Sequence, residues 1–308
     1  MKLTPYPGYE THVMANIGNE QIPMEEIQAA IAKREPAPGT TMEDRFIPGP
    51  EAGQQLRLKF IRPAGLPSPA PVVMDVHGGG WVSGSPEIDD ARNLAIAEGT
   101  PCVVVSVDYR LATSECCYPK PLEDVICAWH WIRDNAAEID VDPEKMGLMG
   151  TSAGGNLSAG LQLWLRDHNE PAPKLAALNC PALSRKKTLS KCQFGMLGDK
   201  DASFAQTVEH IYCPANGQPE PYYAFPGNCH DLTGLGATCM IVAEYDPLRD
   251  EGLDFALRLL RSEVPCEIMC APRVTHGFCT VTHPLSNYVH AGVCASFRRE
   301  FGMEITEF

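Results

Sequence analysis

The chain has 308 residues, 44% hydrophobic and 21% charged, long enough for one large α/β domain or two small ones with a sizeable core. Its 25 Lys and Arg against 39 Asp and Glu leave a net charge of -14, which argues against nucleic acid or an anionic membrane as partner. No stretch approaches the ~20 apolar residues of a membrane span and no apolar run of signal-peptide length opens the chain, so a cytoplasmic protein is expected.

The thirteen cysteines are odd in number and contain no C-x-x-C pair. Several, Cys102, Cys127, Cys180 and Cys239, fall in predicted core elements and read as small buried hydrophobes kept reduced. Cys116-Cys117 and Cys279 are the ones to weigh for reactivity, with packing the preferred reading.

In chain order, Ile22, Met24, Ile27, Ala30 and Ile31 are spaced as the apolar face of a helix over 22–34, stopped by Pro36, Pro38 and Gly39. Two strands follow at 43–47 and 56–61, separated by the turn-forming 49–53, and suit an antiparallel edge. From 71 onward short apolar strands alternate with helices: strands at 72–76, 102–107, 145–149, 175–179, 238–243 and 266–270, helices at 88–98, 122–137, after Ser152, at 252–262 and at 287–300. That alternation implies a mostly parallel sheet covered on both faces.

Between 181 and 236 the alternation stops. The segment holds a basic cluster (Arg185, Lys186, Lys187, Lys191), a helix candidate at 202–211 and the aromatics Phe194, Phe204, Tyr212, Tyr222, Tyr223 and Phe225. Its length and aromatic content point to an inserted lid over a site rather than a structureless loop.

In a parallel sheet, ligands bind at the carboxyl ends of the strands, and four motifs begin there. His77-Gly78-Gly79-Gly80-Trp81 offers bare backbone and N–H donors. Gly150-Thr151-Ser152-Ala153-Gly154 is a G-x-S-x-G pentapeptide between a strand and a helix, a sharp turn that lifts the Ser152 hydroxyl clear of the sheet and sets the Ala153 amide beside it. Glu244, Asp246, Asp250 and Glu251 supply carboxylates after the strand ending at Ala243; Asp246 leaves that strand ahead of Asp250 and Glu251, which start a helix. His276 follows the last strand, whereas His130, His168, His210 and His290 lie on predicted helices and read as packing or surface residues. The order Ser152, Asp246, His276 is the nucleophile, acid, base order of α/β hydrolases.

With these motifs the chain resembles the hormone-sensitive-lipase-like family of α/β hydrolases, the bacterial type IV esterases, over roughly residues 40–300. The resemblance is carried by HGGGW at 77–81, SVDYRLA at 106–112, YPKPLEDV at 118–125, GTSAGGN at 150–156, DPLRDEG at 246–252 and HGF at 276–278. It implies an α/β-hydrolase fold with a mainly helical cap: residues 1–42 and the insert 185–230 as cap, 43–184 and 231–308 as the two parts of the core. Thr151 stands where the commoner elbow of the family has Asp, which implies its GTSAG branch, and the loop from Tyr109 to Pro119 is one residue longer than the family's YRLAPE run. Pairing into a homodimer through the edge strand or last helix is likewise implied by the resemblance alone.

The expected chemistry is carboxylic ester hydrolysis on short- to medium-chain acyl esters, with no metal or organic cofactor. Ser152, Asp246 and His276 are the candidate triad, Gly79, Gly80 and Ala153 the oxyanion-hole amides, and His77, Gly78, Gly150 and Gly154 supports of the elbow and loop. Trp81 and Phe278 are candidates for the substrate pocket. Two rivals stand beside this: a deacetylase of acetylated carbohydrates or other small polar esters, and a non-catalytic ligand receptor on the same fold.

Overall fold

Val72, Met74 and Val76 belong to one hydrophobic cluster and Val73 to another, and the same split separates Val103, Val105 and Val107 from Val104. Successive strand side chains point to opposite faces, so this pattern requires a sheet buried on both sides. A computed structural model of the protein has that sheet; it describes residues 4–9, 33–194, 204–215, 220–281 and 283–304. The helix expected at 22–34 falls, but for its last two residues, outside them.

Eight strands, β1 (Thr41–Pro48), β2 (Gln55–Arg62), β3 (Ala70–Val76), β4 (Val103–Asp108), β5 (Val141–Thr151), β6 (Leu175–Asn179), β7 (Ala237–Ala243) and β8 (Cys266–Ala271), form one sheet in the order β1-β2-β4-β3-β5-β6-β7-β8. β2 runs antiparallel to β1 and β4, and every other pairing is parallel. Helices α1 (Asp90–Gly99) and α7 (Pro284–Glu300) cover one face, contributing Leu94, Ile96, Val289, Val293 and Phe297 to its cluster. Helices α2 (Lys120–Asp134), α3 (Ala153–Asp167) and α6 (Arg249–Arg261) cover the other with Leu122, Ile132, Leu157, Leu161, Phe255 and Leu259. None of the helices among the described residues is long and apolar enough to cross a membrane.

The register brings the carboxyl ends together. Val76 pairs with Gly150, Thr151 with Asn179, Asn179 with Ile241 and Ala243 with Ala271. His77, Ser152, Cys180, Asp246 and His276 therefore all depart from one edge of the sheet.

The long insert is structured where it is described. It carries α4 (Leu189–Gln193), α5 (Phe204–Tyr212) and a 3-10 turn at Pro226–Asn228. The Arg185 guanidinium donates to the carbonyls of Glu209 and Cys213 and lies 4.3 Å over the Phe225 ring, tying the end of α5 to the returning turn of the insert. Buried Lys191 pairs with Glu251 of α6 at 2.6 Å, so the basic cluster is divided between two structural cations, Arg185 and Lys191, and the surface lysines Lys186 and Lys187.

Candidate active site

The site begins with the elbow. Ser152 directly follows β5 with a positive φ (φ 56°, ψ -116°), where an L side chain is strained. Three bonds hold it there: its amide donates to the Asn179 carbonyl at 2.8 Å, and its carbonyl accepts from Asn156 at 3.0 Å and Ala182 at 3.2 Å. Gly154 is required by close approach, because a Cβ on it would be driven into the carbonyl oxygens of Val76 and His77.

Beneath the elbow, Thr151 is the visible end of a buried polar network. Arg92 of α1 donates to the Thr151 hydroxyl and to Asp75 of β3, and pairs with Asp89 at 3.2 Å. Asp75 also accepts from Asn93 at 2.8 Å and Ser106 at 3.0 Å. Two carboxylates thus compensate one buried guanidinium, and the threonine hydroxyl completes its coordination without adding a third charge.

Opposite the elbow stands the glycine loop. Gly79 (φ 124°), Gly80 (φ 60°) and Trp81 (φ 63°) turn it, and a Cβ on Gly78 would stand 3.5 Å from that of Ser152. Among the described residues, the amides of Gly79, Gly80 and Ala153 donate to no protein acceptor. Burial holds the His77 imidazole below its usual range; its Nδ1–H donates to Gly78 at 2.7 Å and its ring stacks on Tyr109 at 4.2 Å. His77 is therefore a neutral buttress of the loop.

The insert closes over this loop. Trp81 stacks on Tyr212 of α5 and donates its indole N–H to Asn156 at 3.3 Å, while Asn156 donates to the Ala182 and Ala224 carbonyls. A Cβ on Gly80 would lie 3.2 Å from the Val208 side chain. The longer loop between Tyr109 and Pro119 is closed by Thr113, whose hydroxyl accepts from the Glu115 and Cys116 amides at 3.2 and 3.0 Å.

The remaining two groups arrive from β7 and β8. Asp246 is fully buried and accepts from the Leu248 amide at 2.8 Å through Oδ1 and faces His276 Nδ1 at 2.9 Å through Oδ2. His276 Nε2 faces Ser152 Oγ at 2.9 Å. An ionised carboxylate only accepts, so Nδ1 carries the ring proton, Nε2 is the unprotonated acceptor, and the Ser152 hydroxyl donates to it. Burial works against a charged His276 ring, but the Asp246 charge and hydrogen bond, with the Glu251 charge behind them, raise its pKa above the ordinary imidazole value. This arrangement can generate a serine nucleophile beside a set of unengaged amides.

Other residues weighed from the sequence lie elsewhere. His130 pairs with Glu170 at 2.8 Å, His168 stacks on Trp164, and His290, pushed down to about 4 by burial, faces the Cys279 carbonyl. Cys279 is buried with its thiol pushed up by that burial, an inert state. Phe278 is fully buried in the cluster under α7 with Val274 and Val289, so it lines no accessible surface. Trp81 is 2% exposed and acts as a packing partner of the insert. Cys180, which reads from the sequence as a core residue, also directly follows a strand, and its sulfur lies close to Asp246 and His276.

Comparison with known proteins identifies the family. The family described as the alpha/beta hydrolase fold matches residues 73–280. Carboxylesterase NlhH of Mycobacterium tuberculosis is 33% identical over 248 residues, 78% of this chain and 76% of that enzyme. The chain belongs to the hormone-sensitive-lipase-like esterases of the α/β-hydrolase fold. Within this esterase family, an arylesterase of Saccharolobus solfataricus is 35% identical over 198 residues, a match spanning 63% of this chain and 63% of that protein. Among solved structures, esterase LipW from Mycobacterium marinum superposes with a TM-score of 0.78 at 34% identity, covering 85% of this chain and 82% of its own. An esterase of Pyrobaculum calidifontis gives a TM-score of 0.77 at 33% identity, covering 84% and 85%.

Proposed function

We propose that this esterase-family chain hydrolyses short- to medium-chain carboxylic esters by acyl transfer through Ser152. The observation that carries the reading is the pair of 2.9 Å contacts flanking the His276 ring, one to Asp246 and one to Ser152. His276 takes the Ser152 proton as Oγ attacks the acyl carbon, then returns it to the departing alcohol; a water repeats the cycle on the acyl-enzyme. Asp246 holds the proton-bearing Nδ1 in place and stabilises the imidazolium. The amides of Gly79, Gly80 and Ala153 receive the oxyanion, the larger share of the rate enhancement in such sites.

Residues 185–230 act as the cap. Val208 against Gly80 and the Trp81–Tyr212 stack narrow the space above the glycine loop, which supports small acyl groups as substrates. Thirteen cysteines, none in a disulfide, fit a reducing compartment such as the cytoplasm. The outer edge of β8, with Tyr288 of α7 76% exposed beside it, is the surface assigned to a homodimer contact.

The test is Ser152→Ala assayed on p-nitrophenyl esters from acetate to decanoate. Turnover is expected to fall by about 10⁶-fold with the far-ultraviolet spectrum unchanged; near-native turnover in the folded variant would sink the assignment.

A further inference from the structure

Three chemically unlike donors meet behind the reacting face. Cys180 leaves the carboxyl end of β6 in a left-handed conformation (φ 45°), its amide held by the Ile241 carbonyl of β7 at 2.8 Å. Its sulfur, a carboxylate oxygen of Asp246 and a ring nitrogen of His276 all lie within 4.8 Å of one another. Cys180 and Asp246 are 1% and 0% exposed. The His276 side chain, 31% exposed, gives the cluster a face toward solvent.

We propose that Cys180, Asp246 and His276 form an inhibitory site for a thiophilic divalent cation of the zinc type. A thiolate, an imidazole and a carboxylate together are a zinc or cadmium donor set, whereas magnesium and calcium take oxygen ligands. Metal–ligand bonds of about 2.0–2.3 Å put tetrahedral donors roughly 3.3–3.7 Å apart. The present Nδ1–Oδ2 separation is 2.9 Å and the Cys180 sulfur lies within 4.8 Å of both partners, so the ring retreats a little and the sulfur closes in, with water completing the fourth position.

Charge and protons balance. The Cys180 thiol releases one proton to solvent, and the resulting thiolate and the Asp246 carboxylate neutralise the ion's two positive charges. Nδ1 becomes a ligand, and the ring's one proton moves from Nδ1 to Nε2. Nε2–H then has no lone pair for the Ser152 proton, so the ion stops turnover by fixing the wrong tautomer. The consequence for turnover rests on the triad reading; the ion site itself does not.

The test titrates chelator-treated full-length enzyme with Zn²⁺, Cd²⁺ and Mg²⁺ while following p-nitrophenyl acetate hydrolysis, each variant normalised to its own metal-free rate. Zinc and cadmium are expected to inhibit the wild type and the exposed-cysteine control Cys192→Ser alike, reversibly by chelator, with no effect of magnesium. Cys180→Ser is expected to raise the half-inhibitory concentration at least about 10-fold, and Cys180→Ala serves the same purpose should the serine variant not fold. In parallel, the ultraviolet thiolate-to-cadmium band is read in Ser152→Ala with and without Cys180→Ser, a binding readout independent of turnover. Equal inhibition of Cys180→Ser and wild type, or an unchanged cadmium band, would overturn the proposal. A Cys180-dependent band without loss of turnover would keep the ion site and contradict the catalytic assignment of Asp246 and His276.

Discussion

The indole of Trp81 lies flat on the phenol of Tyr212, 4.5 Å between ring centres and 3° between planes. One ring belongs to the glycine loop and the other to the insert, and Tyr212 also accepts the Tyr118 amide at 2.6 Å through its carbonyl. With the insert read as the proposed cap, the stack sets how low it sits. Tyr212→Ala is expected to raise the ratio of kcat/KM on p-nitrophenyl decanoate to that on acetate by about 10-fold, the scale on which one methylene is discriminated by an apolar pocket. An unchanged ratio in the folded variant would dissociate the stack from acyl selection.

On the proposed mechanism, the pH dependence follows from the state of His276. Only the neutral ring accepts the Ser152 proton, so activity is lost as pH falls through the ring's pKa. Asp246 and Glu251 raise that pKa, so the acid limb of kcat/KM is expected to have its midpoint above the ordinary value of ~6.5. Asp246→Asn removes the stabilising charge and favours the wrong tautomer; its midpoint is expected to move downward and its kcat to drop by about 10⁴-fold. A profile whose midpoint is the same in both proteins would exclude Asp246 as the partner.

Much of this was legible because the chemistry of a parallel sheet is concentrated at its strand ends. Val76, Thr151, Ala243 and Ala271 end their strands within a few residues of the expected positions, and the motifs after them meet. The helix after Asp246 begins at Arg249, earlier than expected, because Asp246 itself accepts the Leu248 amide and starts the turn. What the sequence did not reveal are partnerships between distant residues. Arg92 and Asp75 are paired only because α1, packed on β2 and β4, lets Arg92 reach across to β3, and Phe278, placed in the pocket by its position beside His276, packs under α7. The Cys180 neighbourhood had a signal, its place directly after β6, that the strong Ser152 and His276 motifs overshadowed.

Lys191 and Glu251 fasten the insert to the core from positions where neither meets bulk water. Breaking such a pair leaves one buried charge alone, so Lys191→Met is expected to cost about 3–5 kcal/mol in urea denaturation. Lys191→Met combined with Glu251→Leu is expected to recover most of that loss. If the double variant is as unstable as the single one, the pair contributes through packing and not through charge.

The central claim, that Ser152 is the nucleophile and His276 its base, is tested most directly by reaction with a fluorophosphonate followed by peptide mass spectrometry. The account predicts one phosphonyl group per chain on the peptide carrying Ser152, and at least about 10³-fold slower labelling of His276→Ala. A stoichiometric adduct on another residue, or labelling of Ser152 at an undiminished rate without His276, would contradict it.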